Sequence, residues 1–304
     1  MTGNRMVKYP QKSRMLDSEE RPSFLSTELF PFRSRFMDLD GHRIHYIDEG
    51  NGPTLVFYHG NPTYSFLYRK VIGGLLSNFR CIAFDYPGFG LSKAAATYDF
   101  LPQSHAEVSK RFLEKLKIRK YSPVMSDWGG PIGLNVASLQ PDRVERLIIG
   151  NTFAWPVNGD FHFEAFSRFF GGFPGIWIIP RFHAFVRMLI PAGTKRARLS
   201  QEEMNAYLLP MPDGPSRMPT YIFPREIRKS KEFLTRLEER LATLREKPTL
   251  FLWADADIAF RKTELHRFQS HFPRNATTIL KGSGHFLWED DPETIIDTIL
   301  EFAS

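Results

Sequence analysis

One stretch, residues 121–137, constrains the fold of this chain more than any other. It reads YSPVMSDWGGPIGLNVA: an apolar run ends at SD, turns through WGG and resumes as an apolar helix at PIG. This pattern is typical of a nucleophile elbow, a tight strand-to-helix turn that exposes one side chain above a sheet. The helix backbone passes close to the strand in such a turn, so the second residue after the nucleophile must be small.

That steric requirement identifies the tip of the turn. With Asp127 at the tip, the second residue beyond it is Gly129; with Ser126 at the tip it would be Trp128, which is too bulky. We therefore predict Asp127 as the nucleophile, although Met125 is larger than the residue usually found two positions before. The alternative is that Asp127 is simply an acidic N-cap of the following helix.

A carboxylate nucleophile limits the chemistry. Aspartate is ionised at neutral pH and needs no base, but it is a weak nucleophile that requires positioning and a dry site. It is suited to attack on an sp3 carbon with a good leaving group, such as a carbon–halogen bond, or on a strained epoxide. The product is an ester of the enzyme, which water must open in a second step.

Composition bounds the class of protein. With 304 residues, 42% of them hydrophobic, and 28 phenylalanines, the chain can form one large α/β domain with an insertion, or two ordinary domains. The single cysteine, Cys81, excludes an internal disulfide and is typical of a reducing compartment. The net charge of +6 comes from dispersed residues without a nucleic-acid-binding motif.

Targeting and membrane signals are weak. The N-terminal residues lack the apolar core of a signal peptide, and the most apolar segment, 169–193, is interrupted by prolines, arginines and a histidine. We expect a soluble, cytoplasmic protein with neither nucleic acid nor membrane among its partners. A homo-oligomer is left open.

The order of the apolar runs predicts the fold class. A hairpin is expected over 33–37 and 42–48, strands at 54–58, 80–84, 144–150, 249–253 and 277–280, and helices at 105–116 and after Asp291. This alternation predicts an α/β protein with a mostly parallel central sheet flanked by helices, which places ligands at the carboxyl ends of the strands.

The alternation stops after residue 150. Residues 151–224 are rich in phenylalanine and predict a helical cap above the sheet, although most of these rings are expected to be ordinary packing residues. The predicted domains are a polar N-terminal arm at 1–28, an α/β core at 29–150 and 225–304, and the inserted cap at 151–224.

A carboxylate nucleophile needs a base for the second step. His285 follows the last predicted strand in the glycine-rich run KGSGHF, and the order nucleophile, acid, histidine is that of α/β-hydrolases. The run WADADIAF offers two acids to orient it; we prefer Asp257, which lies further into the loop, over Asp255. No metal is expected, because His42 and His45 would point to opposite faces of a strand.

Developing negative charge also needs hydrogen-bond donors. The run HGNP at 59–62 follows an early strand, where this fold supplies an oxyanion-hole amide. The backbone N–H groups of Asn61 and Trp128 are the candidates, and their side chains add two uncharged N–H donors that suit a halide ion. The alternatives are a turn role for Asn61 and a packing role for Trp128.

Together these residues resemble the haloalkane dehalogenase family of the α/β-hydrolase fold. The resemblance covers about 29–302 and is carried by HGNPT followed by SFLYR, by DYPGFGLS, by SDWGGPIG and by GHFLWEDDPE. It implies that Asp127 is the nucleophile, that His285 is the base, and that Asn61 and Trp128 bind the halide. The implied reaction converts a haloalkane and water into an alcohol and a halide ion, without a cofactor.

Two details refine the resemblance. One branch of the family takes its acid directly after the strand that precedes the cap, but residues 150–152 are Gly-Asn-Thr here, which favours Asp257. An Asn in the halide site and a late Asp resemble the third of the family's subgroups. Ser126 stands where His or Gln is common, which raises a question about the polarity of the tunnel.

Three other functions remain open. An epoxide hydrolase shares the fold and nucleophile but needs acidic groups, usually two cap tyrosines, for which Tyr207 and Tyr221 are candidates. Coelenterazine luciferases also resemble the family and would give oxygen-dependent light. A binding protein without catalysis is the alternative from a different class.

Overall fold

The computed structural model describes residues 22–303. Most of the predicted arm at 1–28 therefore lies outside the described residues. Leu25 belongs to the described part of this arm. Its side chain is only 1% exposed and packs into the hydrophobic core, so the chain joins the core before residue 29.

The described strands form one eight-stranded sheet. They are β1 (Arg35–Leu39), β2 (His42–Glu49), β3 (Thr54–Tyr58), β4 (Arg80–Phe84), β5 (Ser122–Asp127), β6 (Leu147–Thr152), β7 (Thr249–Ala254) and β8 (Asn275–Leu280). The spatial order is β1-β2-β4-β3-β5-β6-β7-β8. Only the β1–β2 and β2–β4 pairs are antiparallel. The prediction of a mostly parallel sheet is confirmed, and the carboxyl ends of β3 to β8 lie at one edge.

Local sequence explains the opening hairpin and the central strands. Asp40 and Gly41 both have positive φ, 53° and 80°, as a tight hairpin turn with the sheet's twist requires. The strands β6 and β7 are buried along their whole length, as expected for parallel strands covered on both faces.

The helices lie on both faces of the sheet. They are α1 (Arg69–Leu75), α2 (Pro102–Lys115), α3 (Gly129–Leu139), α4 (Phe161–Phe170), α5 (Phe173–Phe182), α6 (Ile190–Gly193), α7 (Gln201–Leu208), α8 (Gly214–Lys229), α9 (Lys231–Arg240), α10 (Lys262–His271), α11 (Leu287–Asp290) and α12 (Pro292–Ala303). Among residues 22–303, none of them combines the length and the apolar character needed to cross a bilayer.

Helices α4 to α8 occupy the segment between β6 and β7, where the cap is predicted. Both α4 and α5 pack against α8 and against each other. The proposed end of the cap at Pro224 falls inside α8, which continues past this proline with Phe223 and Ile227 buried on either side of it. The division into domains remains a prediction.

Two hydrophobic clusters cover the two faces of the sheet. One contains residues of α2, α3, α9 and α10, and the other contains residues of α1, α11 and α12. Both extend into the cap, through Phe163 and Phe223 in the first and through Ala206 and Tyr207 in the second. The cap is therefore packed on the carboxyl edge of the sheet by both cores.

Candidate active site

The turn after β5 is as sharp as the sequence pattern requires. Asp127 ends the strand with φ = 49°, a left-handed conformation that costs free energy for a residue with a side chain. A Cβ atom on Gly129 would lie 2.0 Å from the carbonyl oxygen of Tyr58, so only glycine fits where α3 passes β3. No side chain caps the N-terminus of α3, which argues against Asp127 as a simple N-cap.

The Asp127 carboxylate is held by backbone donors, and its side chain is 18% exposed. Its Oδ1 accepts a hydrogen bond of 2.7 Å from the backbone N–H of Asn61. Burial raises the pKa of the Asp127 carboxyl above its ordinary value, and the charge of His285 and the backbone N–H groups of Asn61 and Trp128 oppose that effect. The group is thus poorly hydrated and fixed in orientation, which a weak nucleophile needs.

His285 lies between two carboxylates. Its Nδ1 is 3.1 Å from Oδ2 of Asp257, and its Nε2 is 3.6 Å from Oδ2 of Asp127. The imidazole also stacks on Phe260, with the ring centroids 5.7 Å apart. The structure therefore brings the predicted nucleophile, histidine and acid together although they lie far apart in the chain.

The two candidate acids are separated clearly. Asp257 is buried, and its second oxygen accepts the N–H of Ala259 at 2.7 Å. Asp255 is exposed and accepts the N–H of Gly282 at 2.6 Å. Only Asp257 reaches the imidazole, because the loop carries its side chain inward while Asp255 stays at the strand end.

The two carboxylates control the protonation of His285. Burial alone lowers the pKa of the imidazole, but the charge and hydrogen bond of Asp257 and the charge of Asp127 outweigh it and raise the pKa from 6.5 to about 9. This interaction stabilises the fold fully below about pH 6.5, and the contribution is lost as the pH rises through about 9. Near neutral pH His285 is therefore an imidazolium between two carboxylates.

The Asn61 side chain is held by the cap. Its Nδ2 donates to the carbonyl oxygen of Thr220 in α8 at 3.1 Å. That carbonyl lacks its usual helical donor, because the residue four positions later is Pro224, which has no N–H. If the Asn61 amide were rotated by 180°, its oxygen would face the Thr220 carbonyl oxygen, which is unfavourable. The contact therefore fixes the orientation of the amide, and the second N–H of Nδ2 does not point at Thr220.

Thr220 and Pro224 were missed by the reasoning from sequence. The available signal was a proline inside a stretch of helical length, which frees the carbonyl four residues earlier. The identity of its partner, Asn61, follows only from the folded chain.

Trp128 is held by other aromatic rings. It stacks on Phe223 at 5.2 Å between centroids and meets Phe153 edge-on at 5.0 Å. Within residues 22–303 its indole N–H has no hydrogen-bond acceptor, and the side chain lines the cavity above Asp127. A side chain with a free indole N–H is therefore fixed in the wall of the cavity that contains Asp127.

The cavity has a volume of about 160 Å³. Its walls are mainly apolar; besides the five predicted site residues they consist of His162, Phe163, Phe166, Phe185, Leu189, Ala192, Gly193, Pro224, Ile227, Ile258, Ala259, Phe260 and Phe286. Within the described chain, no lysine, arginine or tyrosine lines it. Negative charge formed in this cavity is therefore met by neutral donors and by His285.

The two cap tyrosines that an epoxide hydrolase would need, and Ser126, lie outside the cavity. The Tyr207 hydroxyl donates to Glu289 at 2.6 Å, and Tyr221 packs in a separate apolar cluster; neither lines the cavity. Ser126 accepts the indole N–H of Trp288 at 2.8 Å and also lies outside the cavity, so it does not determine the polarity there.

In one branch of the family the acid directly follows the strand that precedes the cap, and here the residue at that place has a structural role. Asn151, at the end of β6, accepts the backbone N–H of Ala254 at 2.7 Å and donates to its carbonyl at 3.1 Å, which joins β6 to β7. Across residues 22–303, no group of three or more His, Cys, Asp or Glu side chains is arranged to hold a metal ion.

The sequence and the fold are similar to those of known enzymes. A family model described as the alpha/beta hydrolase fold matches residues 53–292. Haloalkane dehalogenase 2 of Mycobacterium tuberculosis is 41% identical over 276 residues, which cover 90% of this chain and 96% of that protein. A protein of Shewanella oneidensis named cis-3-alkyl-4-alkyloxetan-2-one decarboxylase is 29% identical, with 91% of this chain and 90% of that protein covered.

A solved structure has the same fold over nearly its whole length. Haloalkane dehalogenase DbeA from Bradyrhizobium elkani superimposes with a TM-score of 0.82 at 26% identity, over 90% of this chain and 98% of that chain. The family match, the identity and the superposition agree over nearly the same part of the chain.

Proposed function

Because this chain belongs to the haloalkane dehalogenases of the α/β-hydrolase fold, we propose that Asp127, His285 and Asp257 carry out hydrolysis through a covalent ester of Asp127. As a member of this hydrolase family, the protein cleaves the carbon–halogen bonds of haloalkanes to give an alcohol and a halide ion. The observation that carries the residue assignment is the row Asp257–His285–Asp127 at the base of a small apolar cavity.

In the first step, the Asp127 carboxylate attacks the halogen-bearing carbon in line with the bond that breaks. The free indole N–H of Trp128 and the remaining amide N–H of Asn61 stabilise the departing halide. Both donors are neutral and preoriented, one by aromatic packing and the other by the Thr220 carbonyl. The apolar walls exclude water, so positioning supplies much of the rate.

In the second step, His285 takes a proton from a water molecule that attacks the carbonyl carbon of the Asp127 ester. The 3.6 Å between Nε2 and the Asp127 carboxylate is longer than a hydrogen bond, and a water to one side of the two groups can reach both. Asp257 orients the imidazole and stabilises its protonated form. The Asn61 and Trp128 backbone N–H groups stabilise the tetrahedral oxyanion.

The ester makes His285 a better base, and this gives a pH prediction. Alkylation removes the Asp127 charge, which is one of the causes that raise the His285 pKa to about 9. In single-turnover experiments followed by rapid quenching, alcohol release should therefore increase with pH around a midpoint below that value. Halide release, which needs only the Asp127 carboxylate, should decline only at acid pH. An alcohol-release midpoint at or above the His285 pKa of the free enzyme, measured by NMR, would contradict this sequence of charges.

The residues that line the cavity also distinguish haloalkane hydrolysis from epoxide opening and oxetanone decarboxylation. Epoxide opening needs an acid on the epoxide oxygen, and neither Tyr207 nor Tyr221 lines the cavity. The activity named for the Shewanella relative, decarboxylation of an oxetanone, releases no halide, whereas the apolar cavity walls and the neutral N–H donors of Asn61 and Trp128 suit a departing halide ion. These features favour a haloalkane.

A substrate panel tests the proposed function. We expect bromobutane and chlorobutane to release halide, bromide faster because it is the better leaving group, while butene oxide yields no diol and a dialkyl β-lactone no carbon dioxide. The Asp127→Ala variant should release no halide from either alkane. Diol or carbon dioxide without halide release would instead identify one of the other two activities.

We also infer a cytoplasmic protein that works without a cofactor. The support is the single cysteine, Cys81, which is a free, buried thiol whose pKa is raised by burial. Every proton and electron pair in the two steps is supplied by substrate, water and the named side chains.

A further inference from the structure

The outer side of the cap exposes an unusual set of apolar side chains. Helices α4 and α5 both pack on α8, so their opposite sides face solvent. We call these side chains the cap face; they are Phe161, Phe169, Phe173, Ile176, Trp177, Phe182 and Met188. Phe173 is 78% exposed and Trp177 58%, and their rings pair at 6.4 Å. Large apolar side chains exposed together, as Phe173 and Trp177 are, commonly mark an interaction site.

The charges in the sequence from 165 to 200 have one sign, whereas Phe161 at the start of α4 is flanked by Asp160 and Glu164. Residues 165–200 contain no aspartate or glutamate and carry six basic residues, Arg168, Arg181, Arg187, Lys195, Arg196 and Arg198. Arg168 and Arg196 pair with Glu164 and Asp291 from outside that stretch. Arg181 and Arg187 are exposed and form no ion pair with any residue of the described chain. The cap face is therefore apolar and aromatic with uncompensated cations at its edge.

The opening of the active-site cavity lies beside this surface. His162, which lines the cavity, is the neighbour in α4 of the exposed Phe161. Ile258, another lining residue, is 73% exposed. Ala192 of α6 is exposed and also lines the cavity. The route from solvent to Asp127 thus opens next to the cap face.

We propose that the cap face docks on the surface of an anionic lipid bilayer. Aromatic side chains insert at the level of the headgroups, and basic residues beside them attract anionic lipids. A second copy of the chain fits less well, because a symmetric contact presents the same face twice, and residues 165–200 offer no carboxylate to compensate Arg181 and Arg187. Docking at the surface needs no spanning helix, and it departs from the expectation, drawn from the sequence, that no membrane is among the partners.

Docking would also affect substrate supply. The cavity opening would face the region of the bilayer in which apolar alkanes dissolve. This consequence rests on the proposed function, whereas lipid binding itself does not, so the two fail independently.

Sedimentation with lipid vesicles tests the proposal. The full-length protein should pellet with vesicles made of equal parts phosphatidylcholine and phosphatidylglycerol, and much less with phosphatidylcholine alone. Raising the salt to about 1 M, where the Debye length is roughly 3 Å, should weaken the binding. Trp177 reports the contact directly: it is exposed, while Trp128, Trp155, Trp253 and Trp288 are buried. Its emission should shift to the blue and be quenched by spin-labelled lipid.

Variants distinguish lipid binding through the cap face from non-specific binding to vesicles. The double variant Phe173→Ser/Trp177→Ser and the charge reversal Arg181→Glu/Arg187→Glu should each lower the partition coefficient about tenfold or more. None of these four residues lines the cavity, so halide release from a soluble substrate should be unchanged. The matched control is Leu139→Ser, an exposed leucine at the end of α3, which should bind vesicles like the unmodified protein.

Three results would overturn the proposal. The first is the absence of pelleting with anionic vesicles, and the second is pelleting that Phe173→Ser/Trp177→Ser leaves unchanged. The third is a dimer in sedimentation velocity without lipid that the same double variant converts to a monomer, which would identify a second copy as the occupant of the cap face.

Discussion

A His285→Phe variant exposed to bromobutane should gain the mass of one butyl group on Asp127. Halide displacement uses the carboxylate and the two N–H donors, none of which the substitution removes, whereas hydrolysis of the ester loses its base. Loss of a general base slows its step by about 10²- to 10⁴-fold, so the ester should accumulate. Phenylalanine can occupy the space of an imidazole already stacked on Phe260. Intact-protein mass spectrometry, followed by peptide mapping to Asp127, measures the adduct.

The control for this experiment is the double variant His285→Phe/Asp127→Ala, which should remain unmodified under the same conditions. The unmodified enzyme should release alcohol steadily and show little adduct. If His285→Phe is folded by circular dichroism but never gains mass, the covalent route through Asp127 is wrong. If the butyl group maps to another residue, the choice of nucleophile is wrong.

The elbow could be predicted because its constraint is local. A strand, a tight turn and a helix that passes close by leave room for only one kind of residue two positions after the tip, and Gly129 meets that need. The apparent fault in the pattern, bulky Met125, is compensated at a distance. A Cβ atom on Gly133 would lie 2.6 Å from the Met125 sulfur, so the glycine in α3 provides the space.

The strand positions along the chain and the place of His285 could also be predicted from the sequence. Buried parallel strands are short apolar runs, and the residues directly after them meet at one edge of the sheet. The structure shows α/β-hydrolase topology and places Asp257 and Asp127 on opposite sides of the imidazole. The sequence favoured Asp257 over Asp255 only because Asp257 lies further from the strand end. That Asp257 is buried and Asp255 exposed could be seen only in the folded loop.

Contacts between remote parts of the chain could not be predicted. The bond from Asn61 to the Thr220 carbonyl spans 159 positions. The bond from Arg69 to Glu289 spans 220. Neither pair has a spacing or motif of its own, since the first depends on how α8 lies above the sheet and the second on how α11 packs beside α1. The Asn61 contact nevertheless sets the orientation of a side chain in the predicted halide site.

The largest expected effect on stability belongs to Arg69. This residue starts α1, is 1% exposed, and bonds to Glu289 of α11 and Glu203 of α7. Glu289 also accepts the Tyr207 hydroxyl at 2.6 Å. Burial alone would raise the pKa of Glu289, but the charge of Arg69 and the other donors hold it below its ordinary value. Without Arg69, the buried Glu289 carboxylate keeps only the partly exposed Lys70, whose Nζ lies 2.9 Å from its Oε2, as a cationic partner.

We therefore expect Arg69→Met to lower the free energy of unfolding by about 3–5 kcal/mol, measured by urea denaturation. Adding Glu289→Gln should recover part of the loss, since it removes the stranded charge. The carboxylate contribution of Glu203 is complete above about pH 4.5 and is lost as the pH falls through about 2, so the difference between Arg69→Met and the unmodified protein should shrink in acid. The matched control is Arg236→Met, whose exposed pair with Glu232 should matter by less than about 0.5 kcal/mol. Equal losses from the two substitutions would mean that the Arg69 network does not fasten the cap to the core.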